Sequence, residues 1–300
     1  VILTQHLREQ PRKAAKTRTH KLGARLSEAA KKNAKRTATV AAVYTIAPWV
    51  RKPEDLIPEN DAERAEPPRP RPERKRVWSS LEKTPEEVIE AVFQEAGYRD
   101  PTHRKQWVAL VDGNKTQIRI LRRMAKEKGI DLTIIVDVIH VTEYLWNAGR
   151  AFHPESGEEL ESWVGVRLLE ILRGKAGYVA GGIRRSATWR DLASADRKPV
   201  EVCANYLLTY GSYLKYNDYL DQGFPIATGV IEGACRHLVK DRMEVTGARW
   251  SLKGAEAVLR LRALRSSLDF DEYWTFHEGQ EYERNHRTLY SAGIVPPTLK

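Results

Sequence analysis

The hydrophobic positions change their period several times along the chain. Thr37-Ala-Thr-Val-Ala-Ala-Val-Tyr-Thr-Ile46 is rich in β-branched residues and closed by Pro48, which predicts a strand. Trp107-Val-Ala-Leu-Val111 and Leu132-Thr-Ile-Ile-Val136 are short, continuous apolar runs that end at Asp112-Gly-Asn and at Asp137. They read as buried strands. Between them, residues 115–128 repeat at helical spacing and stop at Gly129. Strand, helix and strand in succession predict a right-handed parallel βαβ unit.

Upstream, Thr84-Pro-Glu-Glu87 forms a capping box with Pro at the first helical position, followed by Val88, Ile89, Val92 and Phe93 at helical spacing. Residues 51–77 are crowded with charge and with Pro67, Pro68, Pro70 and Pro72, which predicts an exposed connection. The stretch 141–222 is helical almost throughout, and two more helices are expected near 230–243 and 253–266. The expected organisation has five parts, and no internal repeat is visible. A basic segment fills 1–36, and a small α/β sheet region fills 37–140. A helical insertion follows at 141–222, then a closing helical part at 223–268 and a polar tail at 269–300.

At 300 residues the chain is long enough for a proper buried core. It has no apolar run of transmembrane length, and its start lacks the apolar centre of a signal peptide. No membrane partner is expected. Cys203 and Cys235 are too few for a disulfide framework or a cysteine-based zinc site, and they suit a reducing cytoplasm.

Charge adds more when it is located. The net charge is +10, yet residues 1–36 hold eleven Lys and Arg against two Glu, and the remainder is nearly neutral. Arg12, Lys13, Lys16, Arg18, Lys21 and Arg25 are candidate phosphate contacts. If all six neutralised phosphates, log K would fall with log salt at a slope of roughly −5. A solvated, disordered segment has the same composition.

Asp112 and Asp137 each stand at the carboxyl end of an expected parallel strand, the edge where ligands and metals gather in open α/β sheets. A strand-end Asp also caps the helix that follows. Gly113 permits a tight turn that would leave the Asp112 carboxylate exposed. A partner stands far away in sequence, in Thr228-Gly-Val-Ile-Glu232-Gly-Ala-Cys-Arg-His237, where Thr228 could cap a helix bearing Glu232, with Arg236 and Lys240 on the same face. Carboxylates gathered at one edge repel by about 4 kcal/mol for a pair 4 Å apart at an effective dielectric near 20. A cation would neutralise them, and an all-oxygen site favours Mg²⁺ or Mn²⁺.

Asp137 and His140 stand at i and i+3 and either support that site or cap a helix. Zinc is disfavoured, because no second His or Cys pair stands nearby. Tyr206, Tyr210, Tyr213, Tyr216 and Tyr219 recur every three residues or four, as an interhelical packing face does, although aromatics also stack on unpaired bases. Arg184, Arg185, Arg236, Lys240 and Arg249 are further candidate phosphate contacts. His20, His103 and His237 give no triad with Ser or Cys.

An ordered set of stretches resembles one family. They are Thr39-Val-Ala-Ala-Val-Tyr-Thr-Ile46, Val108-Ala-Leu-Val-Asp-Gly113, Ile134-Ile-Val-Asp-Val-Ile-His-Val141, Glu143-Tyr-Leu-Trp146, Ala151-Phe-His-Pro154, Gly229-Val-Ile-Glu-Gly-Ala-Cys-Arg-His-Leu-Val-Lys-Asp-Arg242 and Gly247-Ala-Arg-Trp-Ser251. Together they resemble the ISKra-type insertion-sequence transposases of the DDE superfamily.

The resemblance implies a ribonuclease H-like sheet with a long helical insertion before the Glu-bearing helix. It also implies an Asp-Asp-Glu triad whose last two members match Asp112 and Glu232, with Asp137 and His140 in support. It implies Mg²⁺, with Mn²⁺ possible, and a partner in DNA: insertion-sequence terminal repeats and target DNA. The intact protein would be a homo-oligomer in the bacterial cytoplasm, associated with the nucleoid. Val1 resembles the last residue of the family's Asp-Gly-Lys-Gly-Val motif. The expectation is therefore that the first, central strand, the first Asp and the DNA-binding region are missing, and that this 300-residue chain is inactive in strand transfer. A structure-selective nuclease of the same fold, or a non-catalytic DNA-binding remnant that represses transposition, are the rival expectations.

Overall fold

The computed structural model describes residues 2–6 as backbone, together with residues 37–57, 69–155, 157–245 and 249–287. Arg12, Lys13, Lys16, Arg18, Lys21 and Arg25 lie outside the described residues. Five strands form one sheet: β1 (Ile2–His6), β2 (Thr39–Thr45), β3 (Glu73–Ser80), β4 (Trp107–Val111) and β5 (Leu132–Val136). Their spatial order is β3-β2-β1-β4-β5. β1 runs antiparallel to β2 and parallel to β4, and β4 runs parallel to β5. The α/β class and the β4–helix–β5 unit are as expected.

One expectation is overturned here. The central strand is not missing, because Ile2–His6 fills that position between β2 and β4. Five residues at the start of a basic segment carried too little periodicity to be read as a strand, and pairing on both sides decides it.

β2 and β4 are buried along almost their whole length, as strands covered on both faces must be. Helix α1 (Pro85–Arg99) packs on β2, and α2 (Lys115–Lys128) packs on α1 and β5. The predicted capping box at the start of α1 is formed: Thr84 Oγ1 accepts from the Glu87 amide, and the Glu87 carboxylate accepts from the Thr84 amide at 2.7 Å.

The expected connection 51–77 is shorter than predicted. A 3₁₀ turn occupies Pro53–Leu56, and β3 begins at Glu73. The charged run Glu73-Arg-Lys-Arg76 hid the strand, because β3 is an edge strand whose first half faces solvent and only Val77 onward is deeply packed. Charge on an edge also discourages pairing with other chains.

The insertion is helical as expected, comprising α3 (Val138–Gly149), α4 (Glu158–Leu172), α5 (Ala176–Trp189), α6 (Ser194–Tyr210) and α7 (Tyr216–Asp221). α6 packs on both α3 and α5, which ties the insertion to the end of β5. Then come α8 (Gly229–Ala234), a π-helical turn at Cys235–Lys240, the single turn α9 (Asp241–Met243), α10 (Leu252–Ser267) and α11 (Phe270–Tyr282). α10 lies on β3, where the buried Glu256 carboxylate accepts from Ser80 Oγ at 2.9 Å and from the Leu81 amide at 2.8 Å. The expected polar tail 269–300 is instead helical through Arg287, although α11 buries none of its residues. That absence of a buried face is why its pattern read as a tail. Among the described residues, no helix is long and apolar enough to cross a membrane.

Candidate functional site

The site is built from the carboxyl ends of two neighbouring parallel strands. β4 ends at Val111 and delivers Asp112; β5 ends at Val136 and delivers Asp137. The Asp137 amide donates to the Val111 carbonyl at 2.9 Å, so the two strand ends are joined at the site itself.

Asp112 does not cap α2. Asn114 does, accepting from the Thr116 amide at 2.9 Å. Asp112 Oδ1 accepts from the Asn114 amide at 2.9 Å, which shapes the turn and leaves the second carboxylate oxygen unused by that bond. Gly113 makes the turn possible with φ +87°, and a Cβ there would lie 2.8 Å from the Tyr206 hydroxyl.

Asp137 is held differently. It is buried to 3% exposure, and its Oδ1 accepts from the Ile139 amide at 2.8 Å, so it caps α3. Its other oxygen accepts from the Thr228 hydroxyl. Thr228 therefore does not cap α8 with its side chain, contrary to expectation. A buried carboxylate has a stronger claim on that hydroxyl than the exposed amides of a six-residue helix. A second link joins the same segments, the Val138 amide donating to the Ile226 carbonyl at 3.0 Å. Through these contacts the segment leading into α8 is fixed on the end of β5, and Glu232 comes within electrostatic reach of Asp137.

The electrostatics follow from this arrangement. Burial pushes the Asp137 carboxyl above its usual range, against the pull of the Thr228 and Ile139 hydrogen bonds and of His140. Glu232 is also held above its usual range, first by partial burial and then by the negative charges of Asp137 and Glu143, with His140 and Lys240 opposing. Burial raises the Cys235 thiol to about 12, and both Glu232 and Asp112 add to that rise. Asp112 and Glu232 therefore act on one sulfur, and Glu232 acts with Asp137 and Glu143. His140 Nδ1 meets Glu143 Oε2 at 3.0 Å. The sequence reasoning missed Glu143, although its place three residues after His140 on α3 was a readable signal.

The tyrosines do more than pack. Tyr206 donates to the Asp112 carbonyl at 3.3 Å, Tyr210 to the Gly113 carbonyl, and Tyr216 to the Val136 carbonyl at 2.6 Å. Tyr144 stacks on Tyr206 with ring centroids 4.0 Å apart. The five tyrosines do not lie on one helix, since α6 ends at Tyr210, a 3₁₀ turn covers Gly211–Tyr213, and α7 starts at Tyr216. The insertion thus grips the backbone of both carboxylate-bearing strand ends.

The candidate phosphate contacts divide. Arg184 is engaged by Glu201 at 2.9 Å and by Asn205 at 2.8 Å, which neutralises much of its charge. Arg185, Arg236, Lys240 and Arg249 are exposed and form no ion pair among the described residues. Of these, only Lys240 acts on the carboxylate site, lowering the Glu232 carboxyl and the Cys235 thiol. Trp250 is covered by Arg242, whose guanidinium lies 5.0 Å from the ring centroid, rather than acting with Arg249.

Among the described residues, no three His, Cys, Asp or Glu side chains stand close enough to enclose a metal ion. β1 meets β4 with Thr4 level with Val111, so Gln5 and His6 approach the edge of Asp112 while Ile2 lies toward the opposite edge. A cavity of about 320 Å³ opens at that opposite edge, lined by Tyr44, Thr45, Arg99, Trp107 and Phe224, away from the carboxylates. Compared with family models, curated proteins and solved structures, the chain matches none.

Proposed function

We propose that this chain is the catalytic region of a DDE-type DNA transposase, on a ribonuclease H-like sheet, with Asp112 and Glu232 as metal-holding carboxylates. The observation that carries the reading is that the segment leading into α8, 120 residues past Asp112 at Glu232, is tied to the end of β5 through Ile226 and Thr228, which brings Glu232 within electrostatic reach of Asp137. The sheet adds support. The family's first strand is central and pairs with the strand that carries the second Asp, and β1 stands so between β2 and β4.

The donor set suits Mg²⁺ or Mn²⁺. It is carboxylate oxygen at an edge with unbalanced negative charge, and Mg²⁺ commonly keeps several waters while using one or two carboxylates. When bound, such ions stabilise the attacking and leaving oxygens of a phosphodiester displacement. The chain's own residues do the rest. Asp112 is set by its turn, Asp137 fastens α3 and the Thr228 segment together, and His140 and Lys240 favour the ionised form of Glu232.

Two measurements test this. Mn²⁺ binding, followed by electron paramagnetic resonance, should weaken at least tenfold in Asp112→Asn and in Glu232→Gln. In the transposase that carries these residues, both variants should lose cleavage of insertion-sequence ends and keep end binding. Normal cleavage by Glu232→Gln would overturn the reading. A strand-transfer assay separates it from a nuclease, which cuts without joining.

A further inference from the structure

Two arginines in the helical insertion converge on one aromatic pair. Phe152 follows α3 and Trp163 lies on α4, and their rings stack with centroids 5.3 Å apart. Arg167, one turn along α4, places its guanidinium 3.8 Å from the Trp163 centroid. Arg190, just after α5, places its guanidinium 5.6 Å from the Phe152 centroid. Each donates to a main-chain carbonyl of the same pair, Arg167 to Trp163 at 3.0 Å and Arg190 to Phe152 at 3.4 Å. Neither makes an ion pair among the described residues, whereas Arg173, Arg184 and Arg197 in the same insertion all do. The two charges also feel each other: Arg167 falls to about 10, first through burial and then through repulsion from Arg190.

Two like charges held together by rings and carbonyls, with no carboxylate between them, lack an anion. Guanidinium forks suit the oxygens of a phosphodiester. Next to Arg190 stands Trp189, the last residue of α5, which is 87% exposed. An indole so exposed beside a phosphate-binding pair offers a stacking face for an unpaired base. Arg184 and Arg185, singled out by sequence, lie more than one helical turn earlier on α5 and are not part of this group.

We propose that Arg167, Arg190 and Trp189 form a contact for single-stranded nucleic acid, with the arginines on a backbone phosphate and Trp189 under a base. The class of partner rests on the functional reading above, but the contact needs no metal, so the two fail separately.

The test is fluorescence anisotropy with a labelled mixed-sequence 30-mer, single-stranded and duplex, in EDTA. Arg190→Gln should weaken single-strand binding about tenfold and reduce the log K–log salt slope by about 0.7, the share of one phosphate contact. Arg173→Gln, which removes an equal charge already paired with Glu54 and Glu170, should change neither. Trp189→Ala should weaken single-strand binding about tenfold, leave the slope unchanged and spare the duplex. Arg167→Lys keeps the charge and should keep the slope, which guards against a packing defect on Trp163. If Arg190→Gln behaves as Arg173→Gln does, or Trp189→Ala weakens both forms equally, the contact is refuted. Binding of the 30-mer is read in EDTA without any cleavage, so loss of cleavage alone leaves this inference standing.

Discussion

Removing one hydroxyl tests how the insertion holds the site. Tyr216 is completely buried, and its hydroxyl donates to the Val136 carbonyl at 2.6 Å. β5 is the outer strand of the sheet. The Asp137 amide points back to Val111 on β4, and in a trans peptide the preceding carbonyl points the opposite way. The Val136 oxygen therefore faces outward, where no further strand supplies a donor, and Tyr216 fills that role.

Tyr216→Phe keeps the ring and leaves this carbonyl unpaired in an apolar setting, which costs about 1–3 kcal/mol. The expected loss is about 2 kcal/mol, with Tm lowered by roughly 4 °C. Burial raises the Tyr216 phenol well above 10, so it stays a neutral donor and the loss should be constant between pH 6 and pH 9. Urea unfolding followed by circular dichroism measures it, and an unchanged slope with denaturant identifies a native-state effect. Tyr219→Phe is the control. Tyr219 is also buried, but its hydroxyl meets the backbone of Lys215 in its own turn rather than a strand-end carbonyl, so its loss should be the smaller, about 1 kcal/mol or less. Equal losses in the two variants would refute the argument.

Three further outcomes follow from the same site. Thr228→Val removes the hydroxyl from a buried carboxylate, at a cost of about 2 kcal/mol at pH 7. The Asp137 carboxyl is already raised, so its contribution to stability is greatest below the ordinary carboxylate range and is lost as pH rises through the raised value; the variant should raise it further, and its deficit should shrink in acid. Gly113→Ala meets both a left-handed backbone and the Tyr206 hydroxyl, and should cost more than about 1 kcal/mol. Adding Tyr206→Phe should recover part of that loss in a double-mutant cycle, and no recovery would mean the backbone alone is responsible. Glu143→Gln removes a negative charge that lifts the Glu232 carboxyl, so the acid limb of Mn²⁺ binding should move to lower pH; an unmoved limb would separate Glu143 from the site.

Local pattern was enough wherever a segment announces its own environment. The continuous apolar runs of β4 and β5 specify strands buried on both faces, and Thr84-Pro-Glu-Glu87 specifies a helix start from its own atoms. Asp112 and Asp137 were legible as strand-end carboxylates for the same reason. Where partners set the structure, pattern misled. The charged start of β3 becomes a strand only because β2 lies beside it, and α11 is a helix with no buried face to mark it.

The sequence by itself determined the parallel unit, the helical insertion and which acidic residues end the strands, because each depends on contacts within a few residues. Only the tertiary structure decided that Ile2–His6 takes the central place in the sheet and that Thr228 serves Asp137 rather than α8. It also decided that tyrosines of the insertion hold the carbonyls beside both carboxylates, and that Arg167 and Arg190 meet on one pair of rings. The physical reason is common to all four. A hydrogen-bond donor or a charge has several possible partners along a chain, and the packing of distant segments selects the one it meets.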